Sequence, residues 1–182
     1  MAAEHVEGLV YREDFLSPEE EGTLLELFDA MEFRTLAMRG QTARRTVRHF
    51  GLDYEYGTGE LAPTDPLPAD LVPLRDRCAA LMERAPEDLV QTLVSRYPEG
   101  AGIGWHRDAP MFGSKIAGVS LRAPCRMRFQ RTVGGERSTA EVELAPRSAY
   151  LLSGRARWSW QHSIPATKDL RYSVTFRTLK RR

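Results

Sequence analysis

Arg171-Tyr172-Ser173-Val174-Thr175-Phe176-Arg177 is the stretch that decides the fold. Arg171, Ser173, Thr175 and Arg177 alternate with Tyr172, Val174 and Phe176. Successive side chains of an extended chain point to opposite faces. A polar row opposite an apolar row predicts a strand with one face on a core and the other in a pocket. Arginine suits the pocket face, because its planar fork can hold a carboxylate through two parallel hydrogen bonds.

Upstream of this stretch the same period of two recurs as far back as residue 88. Residues 88–97, 115–121, 125–130, 140–144, 148–153 and 158–164 all read as strands. Cys125, Met127 and Phe129 face one way, and Arg126, Arg128 and Gln130 the other. Gly134-Gly135 turns the chain, as does Pro98-Glu99-Gly100-Ala101-Gly102. Before residue 88 the pattern is mixed. Residues 5–16 suit an entry strand. Ser17-Pro18-Glu19-Glu20 is a capping box with proline at the first helical position, so residues 18–31 should be a helix. Leu71, Leu74, Cys78 and Leu81 mark a second helix, with Pro73 tolerated in its first turn. Residues 34–50 read as polar, basic and irregular, and residues 57–68 as a loop. Two helices followed by about seven short strands predict a mainly β domain, a sandwich or jelly roll with flanking helices.

The chain has 182 residues, 42% of them hydrophobic and 28% charged, enough for one globular domain with a sizeable core. No apolar run reaches the roughly 18 residues of a membrane span, and the N-terminus lacks signal-peptide features. Cys78 and Cys125 make neither a disulfide framework nor a zinc quartet, and suit a cytoplasmic protein. Net charge is +1, so no global footprint for nucleic acid exists. Charge is nevertheless segregated. Residues 13–32 hold eight acids and no base, whereas residues 34–48 hold Arg34, Arg39, Arg44, Arg45 and Arg48 and no acid. Arginine forks suit phosphate, although a bias towards arginine also arises from genome base composition.

His106 and Asp108 stand two apart, on one face of a strand or its end. His162 follows on a later expected strand, where alternation points Trp158, Trp160 and His162 to one side. Two histidines and one carboxylate form the ligand set of a mononuclear non-haem iron centre with open positions. The H-x-D pair alone is common by chance, and gains weight only from His162 and Arg171. His5 and His49 are read as structural. Zinc fits less well, since no further His or Cys is spaced to close a site.

Several ordered motifs together resemble the AlkB-type dioxygenases, Fe(II)- and 2-oxoglutarate-dependent enzymes built on a double-stranded β-helix. The motifs are Arg96-Tyr97-Pro98-Glu99-Gly100 before His106-x-Asp108, and then Val119-Ser120-Leu121. Pro146-Arg147-Ser148 through Gly154, with Arg157 and His162, comes next, and Arg171 through Arg177 closes the series. His49-Phe50-Gly51 with Tyr54 and Tyr56 resembles the nucleotide-lid region. The resemblance implies one domain over residues 1–182, with helices and lid in 1–87 and the catalytic β-core in 88–182. It implies that His106, Asp108 and His162 bind Fe(II), leaving room for 2-oxoglutarate and O2. Arg171 would pair with the distal carboxylate of 2-oxoglutarate, with Tyr97 helping, and Arg177 would lie near Asp108. Oxidative decarboxylation would give succinate and carbon dioxide, with one oxygen atom delivered to a substrate C–H bond. A hydroxylated N-methyl group would collapse to formaldehyde.

Departures from the family concern the co-substrate and the substrate. Ser95 and Ser173 stand where many members carry co-substrate-binding asparagines, so weaker binding or a bridging water is expected. Arg122 stands where a glycine usually follows Ser-Leu, and Ala109-Pro110 replaces a more polar stretch. The expected substrate is an alkylated base in DNA or RNA, single-stranded or flipped out, handled by a monomeric enzyme. Tyr54, Tyr56, Trp158 and Trp160 are candidate base platforms, Trp160 foremost. Arg39, Arg44, Arg45, Arg126 and Arg128 are candidate phosphate contacts. The alternatives are an oxygenase acting on protein side chains or a small metabolite, and a non-catalytic nucleic-acid module.

Overall fold

A computed structural model describes residues 5–38, 41–55 and 58–180. The described chain runs β1 (Leu9–Arg12), α1 (Pro18–Asp29), β2 (Arg34–Met38), β3 (Gln41–Phe50), β4 (Leu52–Tyr54), β5 (Leu61–Pro63) and α2 (Val72–Met82). There follow β6 (Gln91–Tyr97), β7 (Ile103–His106), β8 (Phe112–Leu121), β9 (Cys125–Val133), β10 (Glu136–Leu144) and β11 (Ser148–Leu152). The chain ends with α3 (Gly154–Trp158), β12 (Gln161–Ile164) and β13 (Arg171–Leu179).

Two antiparallel sheets face each other. The larger has the order β1-β11-β8-β13-β6-β3-β2, and the smaller β10-β9-β12-β7. This is the expected jelly-roll class of architecture. Three strands of the larger sheet come from the first 87 residues, so the sheet runs unbroken across residue 88. Among the described residues no helix is long and apolar enough to cross a membrane.

The alternation of β13 builds both sides of the larger sheet. Tyr172, Val174 and Phe176 pack with Leu24, Phe28, Leu74, Cys78 and Met82 from α1 and α2. Phe28 and Tyr172 approach at 5.3 Å between ring centroids, and the Tyr172 hydroxyl donates to Asp29 at 2.8 Å. The second core lies between the sheets and gathers Phe112, Ile116, Met127, Phe129, Leu144, Tyr150, Leu152 and Trp160. The α1 start is as expected. Ser17 Oγ accepts from Glu20 N at 3.2 Å, and Glu20 Oε2 accepts from Ser17 N at 2.8 Å.

Three readings need correction. Residues 34–50 are not irregular but form the β2–β3 hairpin, with β3 paired to β6. Its buried face carries Arg45, Val47 and His49, so the period of two was hidden by polar residues at inward positions. Residues 57–68 include a short strand, β5, paired with β4. Residues 158–164 are not one strand. Trp158 closes α3, and β12 begins only at Gln161.

Arg122 adopts φ of 73°, the left-handed region that glycine enters without cost. Its side chain lies towards Asp29, 3.8 Å away, on the helix side of the sheet. The departure from glycine there concerns a turn rather than the substrate.

Candidate metal centre and its cavity

Alternation on β7 and β12 builds the centre. His106 ends β7, and His162 on β12 is its register partner. Their rings lie 4.3 Å apart between centroids. Asp108 follows His106 by two residues and turns back, placing Oδ1 3.5 Å from His162 Nε2. One ligand atom from each of the three lies within 4.8 Å of the others, a spacing that one metal ion can bridge.

Neighbouring groups fix these side chains. His106 Nδ1 donates to Gly104 O at 2.8 Å, which leaves Nε2 as the lone-pair nitrogen. Arg177 grips Asp108 Oδ2 with Nε at 2.7 Å and Nη2 at 2.6 Å, leaving Oδ1 towards the histidines. Arg177 Nη1 also donates to Gln91 Oε1 at 2.8 Å. Burial pushes the Asp108 carboxyl up, but Arg177, His162 and His106 outweigh it and hold the acid well below the usual carboxylate range. Burial, reinforced by His106, depresses His162 to about 3, and burial also lowers His106. Neutral imidazoles and an ionised carboxylate are the protonation states that a metal ion requires.

A cavity of about 480 Å3 opens onto this cluster. The polar row of β13, with Arg171, Ser173, Thr175 and Arg177, forms part of its wall. The registers Ser173↔Ser95 and Arg171↔Tyr97 continue that wall onto β6. Arg171 is 2% exposed, and its Nε donates to Ser120 Oγ at 2.9 Å. Its Nη1 is buried with no hydrogen-bond partner, and Tyr97 lies 4.9 Å below the guanidinium. A buried donor left unpaired is costly, so this orphan suits the carboxylate of a co-substrate entering the cavity. The donor set thus fits both Fe(II) and 2-oxoglutarate.

The remaining expected residues are distributed differently. Tyr54 lines the cavity, edge-on to Phe112 at 5.8 Å. Trp160 does not line it. At 1% exposure it belongs to the inter-sheet core, because α3 shifts the alternation that would have paired it with His162. Trp158 is 40% exposed, lies outside the cavity and stacks 4.0 Å from the Arg157 guanidinium. Arg45 is no surface phosphate contact, being 4% exposed and lining the cavity. Arg44 and Arg126 are exposed. Arg128 lies 5.1 Å above the ring of Trp105, a cavity-lining tryptophan that the sequence reading passed over. Arg39 and Tyr56 lie outside the described residues.

Arg157 was also missed as a support. It is buried and donates to the carbonyls of Asp108, Ala109, Phe112 and Gly113 at 2.9–3.2 Å. It therefore clamps the segment that carries Asp108. An arginine that pairs only with carbonyls leaves no acidic partner in the sequence to betray it.

Residues 8–177 match the sequence model of the 2OG-Fe(II) oxygenase superfamily. The chain is 32% identical over 187 residues to "Alkylated DNA repair protein ALKBH8 homolog" of Arabidopsis thaliana, covering 90% of this chain and 52% of that protein. It is also 32% identical over 168 residues to "tRNA (carboxymethyluridine(34)-5-O)-methyltransferase alkbh8" of Xenopus tropicalis, covering 88% of this chain and 26% of that one. The chain thus spans about half the length of these relatives or less. The fold is similar to the structure of OsALKBH1, with a TM-score of 0.68 at 16% identity, over 94% of this chain and 98% of that one.

Proposed function

The chain belongs to the 2OG-Fe(II) oxygenase superfamily, as an Fe(II)/2-oxoglutarate-dependent dioxygenase of AlkB type, and from that premise we propose that it oxidises modified bases in nucleic acid. Iron held there together with 2-oxoglutarate would supply activation of dioxygen, with succinate and carbon dioxide as co-products. His106 Nε2, Asp108 Oδ1 and His162 Nε2 hold the metal in this reading. Arg177 keeps Asp108 ionised and aimed, and Arg157 holds its backbone. Arg171 takes the distal carboxylate of 2-oxoglutarate, with Tyr97 shielding the pair from water. The observation that carries the co-substrate role is the orphaned Nη1 of Arg171, buried in the wall of the cavity onto which the metal cluster opens.

The nucleic-acid substrate draws support from the relatives, one named for alkylated DNA repair and one for tRNA modification. The lining of the cavity suits a base. Trp105 beneath Arg128 and Tyr54 beside Phe112 offer stacking faces, and the exposed Arg107 and Arg44 offer charge for phosphates.

The decisive experiment supplies Fe(II), 2-oxoglutarate and a panel of methylated oligonucleotides. Succinate and formaldehyde should form, with loss of the methyl mass from one oligonucleotide. His162→Ala should abolish turnover while the circular dichroism spectrum stays unchanged. No succinate from the wild-type protein, with or without an oligonucleotide, sinks the enzyme reading. Uncoupled succinate with every oligonucleotide inert sinks only the substrate assignment, and directs attention to protein side chains or a small metabolite.

A further inference from the structure

We propose that Arg45 is a second cationic binding residue for 2-oxoglutarate, working from β3 on the same wall as Arg171. The inference rests on the co-substrate reading given above.

Charge within the cavity motivates it. Four arginines line the cavity, the exposed Arg107 and the buried Arg45, Arg171 and Arg177, and Asp108 lines it too. Asp108 is taken by Arg177. Among the described residues neither Arg45 nor Arg171 makes an ion pair with a carboxylate, and their exposures are 4% and 2%. A buried cation with no counter-charge is costly, and two of them side by side compound the cost. A dianion entering between them removes that cost, and 2-oxoglutarate is a dianion.

Register places the two arginines on one wall. Arg171 is opposite Tyr97 on the β13 side of β6, and Val47 opposite Ser95 on its β3 side. Arg45, two residues before Val47, therefore shares its face. Its Nη1 donates to Ser95 Oγ at 3.2 Å, and its guanidinium carbon lies 5.9 Å from the Tyr97 ring centre. Arg171 reaches the same ring at 4.9 Å. Both guanidinium groups thus lie close to the Tyr97 ring. Ser95 is short, and offers one hydroxyl to the cavity. By accepting from Arg45 it aims a longer, charged donor into the space that the hydroxyl cannot reach. A phosphate of a nucleic-acid backbone is a poorer partner, since Arg45 is buried in the wall rather than exposed as Arg44 and Arg107 are.

The test is calorimetric titration of 2-oxoglutarate into the full chain loaded with redox-silent Mn(II). Arg45→Gln should weaken binding about tenfold or more, as expected when a charge-assisted pair is lost. Arg45→Lys should recover part of that loss, and Ser95→Ala, which removes only the aiming hydroxyl, should weaken binding by a smaller factor. Thermal melting checks that each variant folds. If Arg45→Gln fails to fold, Arg45→Lys and Ser95→Ala carry the test together. Wild-type affinity in the variants that fold overturns the inference. So does loss of oligonucleotide affinity in them with 2-oxoglutarate affinity intact, which gives Arg45 to the nucleic acid. Absence of 2-oxoglutarate binding by the wild-type protein overturns the co-substrate reading and this inference with it.

Discussion

Asp108 is held by opposing forces. Burial alone would protonate it, yet the two-pronged contact from Arg177 keeps it charged. The same arginine leaves Oδ1 free to face the histidines, so one residue sets both charge and aim. Arg122 is the opposite case, a side chain placed where its backbone is strained. Its φ of 73° crowds Cβ against the neighbouring carbonyl, which costs about 1 kcal/mol. The contact with Asp29 at 3.8 Å is solvent-exposed and offsets little. Arg122→Gly should therefore raise stability by about 1 kcal/mol, read as a higher urea midpoint with an unchanged slope. A lower midpoint would show that the Asp29 contact matters more than the strain.

Strands do the positioning in this protein, and their faces assign the tasks. β13 places its apolar row on α1 and α2 and its polar row in the cavity. β8 pairs with both β13 and β11, and carries Gly118 beneath Tyr150. A Cβ on Gly118 would sit 2.2 Å from the Tyr150 ring, so that ring can lie across the sheet only if residue 118 has no side chain. Gly118→Ala should force the ring, which lines the cavity, out of place. The expected cost is about 1–3 kcal/mol of stability, measurable by denaturant unfolding. If stability held, the strand must shift more easily than its central place in the sheet suggests.

At the scale of the whole molecule, the buried histidines set the pH response. His162 is held at about 3 and His49 at about 4, both below the ordinary 6.5. Burial is the main cause in each. For His49, Arg34, Arg177 and Arg45 add to it, while Asp53 pulls the other way. As pH falls below 6.5 the unfolded chain binds protons that the folded protein refuses. Stability is therefore full above about 6.5 and is lost progressively as pH falls, down to about 4 for His49 and about 3 for His162. The metal-free protein should melt at a lower temperature at pH 5 than at pH 7. Equal melting temperatures would mean that these imidazoles reach water.

Much of this protein was legible before any coordinates. β13, the capping box of α1, the β9–β10 hairpin and the family motifs could be read locally. Period and turn chemistry are properties of a few adjacent residues. What hid was whatever depended on a distant partner. β3 looked irregular because its inward positions hold Arg45 and His49, which can be buried only across from β6 and a cavity. Trp160 looked like a partner of His162 because a five-residue helix cannot be seen in alternation alone. Arg157 stood out only as a motif residue, and its clamping role was hidden, since carbonyls have no side-chain signature. The sequence by itself determined most strands of the C-terminal half and, through the motifs it shares with AlkB-type enzymes, the expected ligand types and the reaction class, because these follow from residue identity and spacing. Only the tertiary structure decided which arginines face the cavity and which aromatic rings are spent in the core. Those outcomes depend on strands brought together from far apart in the chain, where burial and charge are shared.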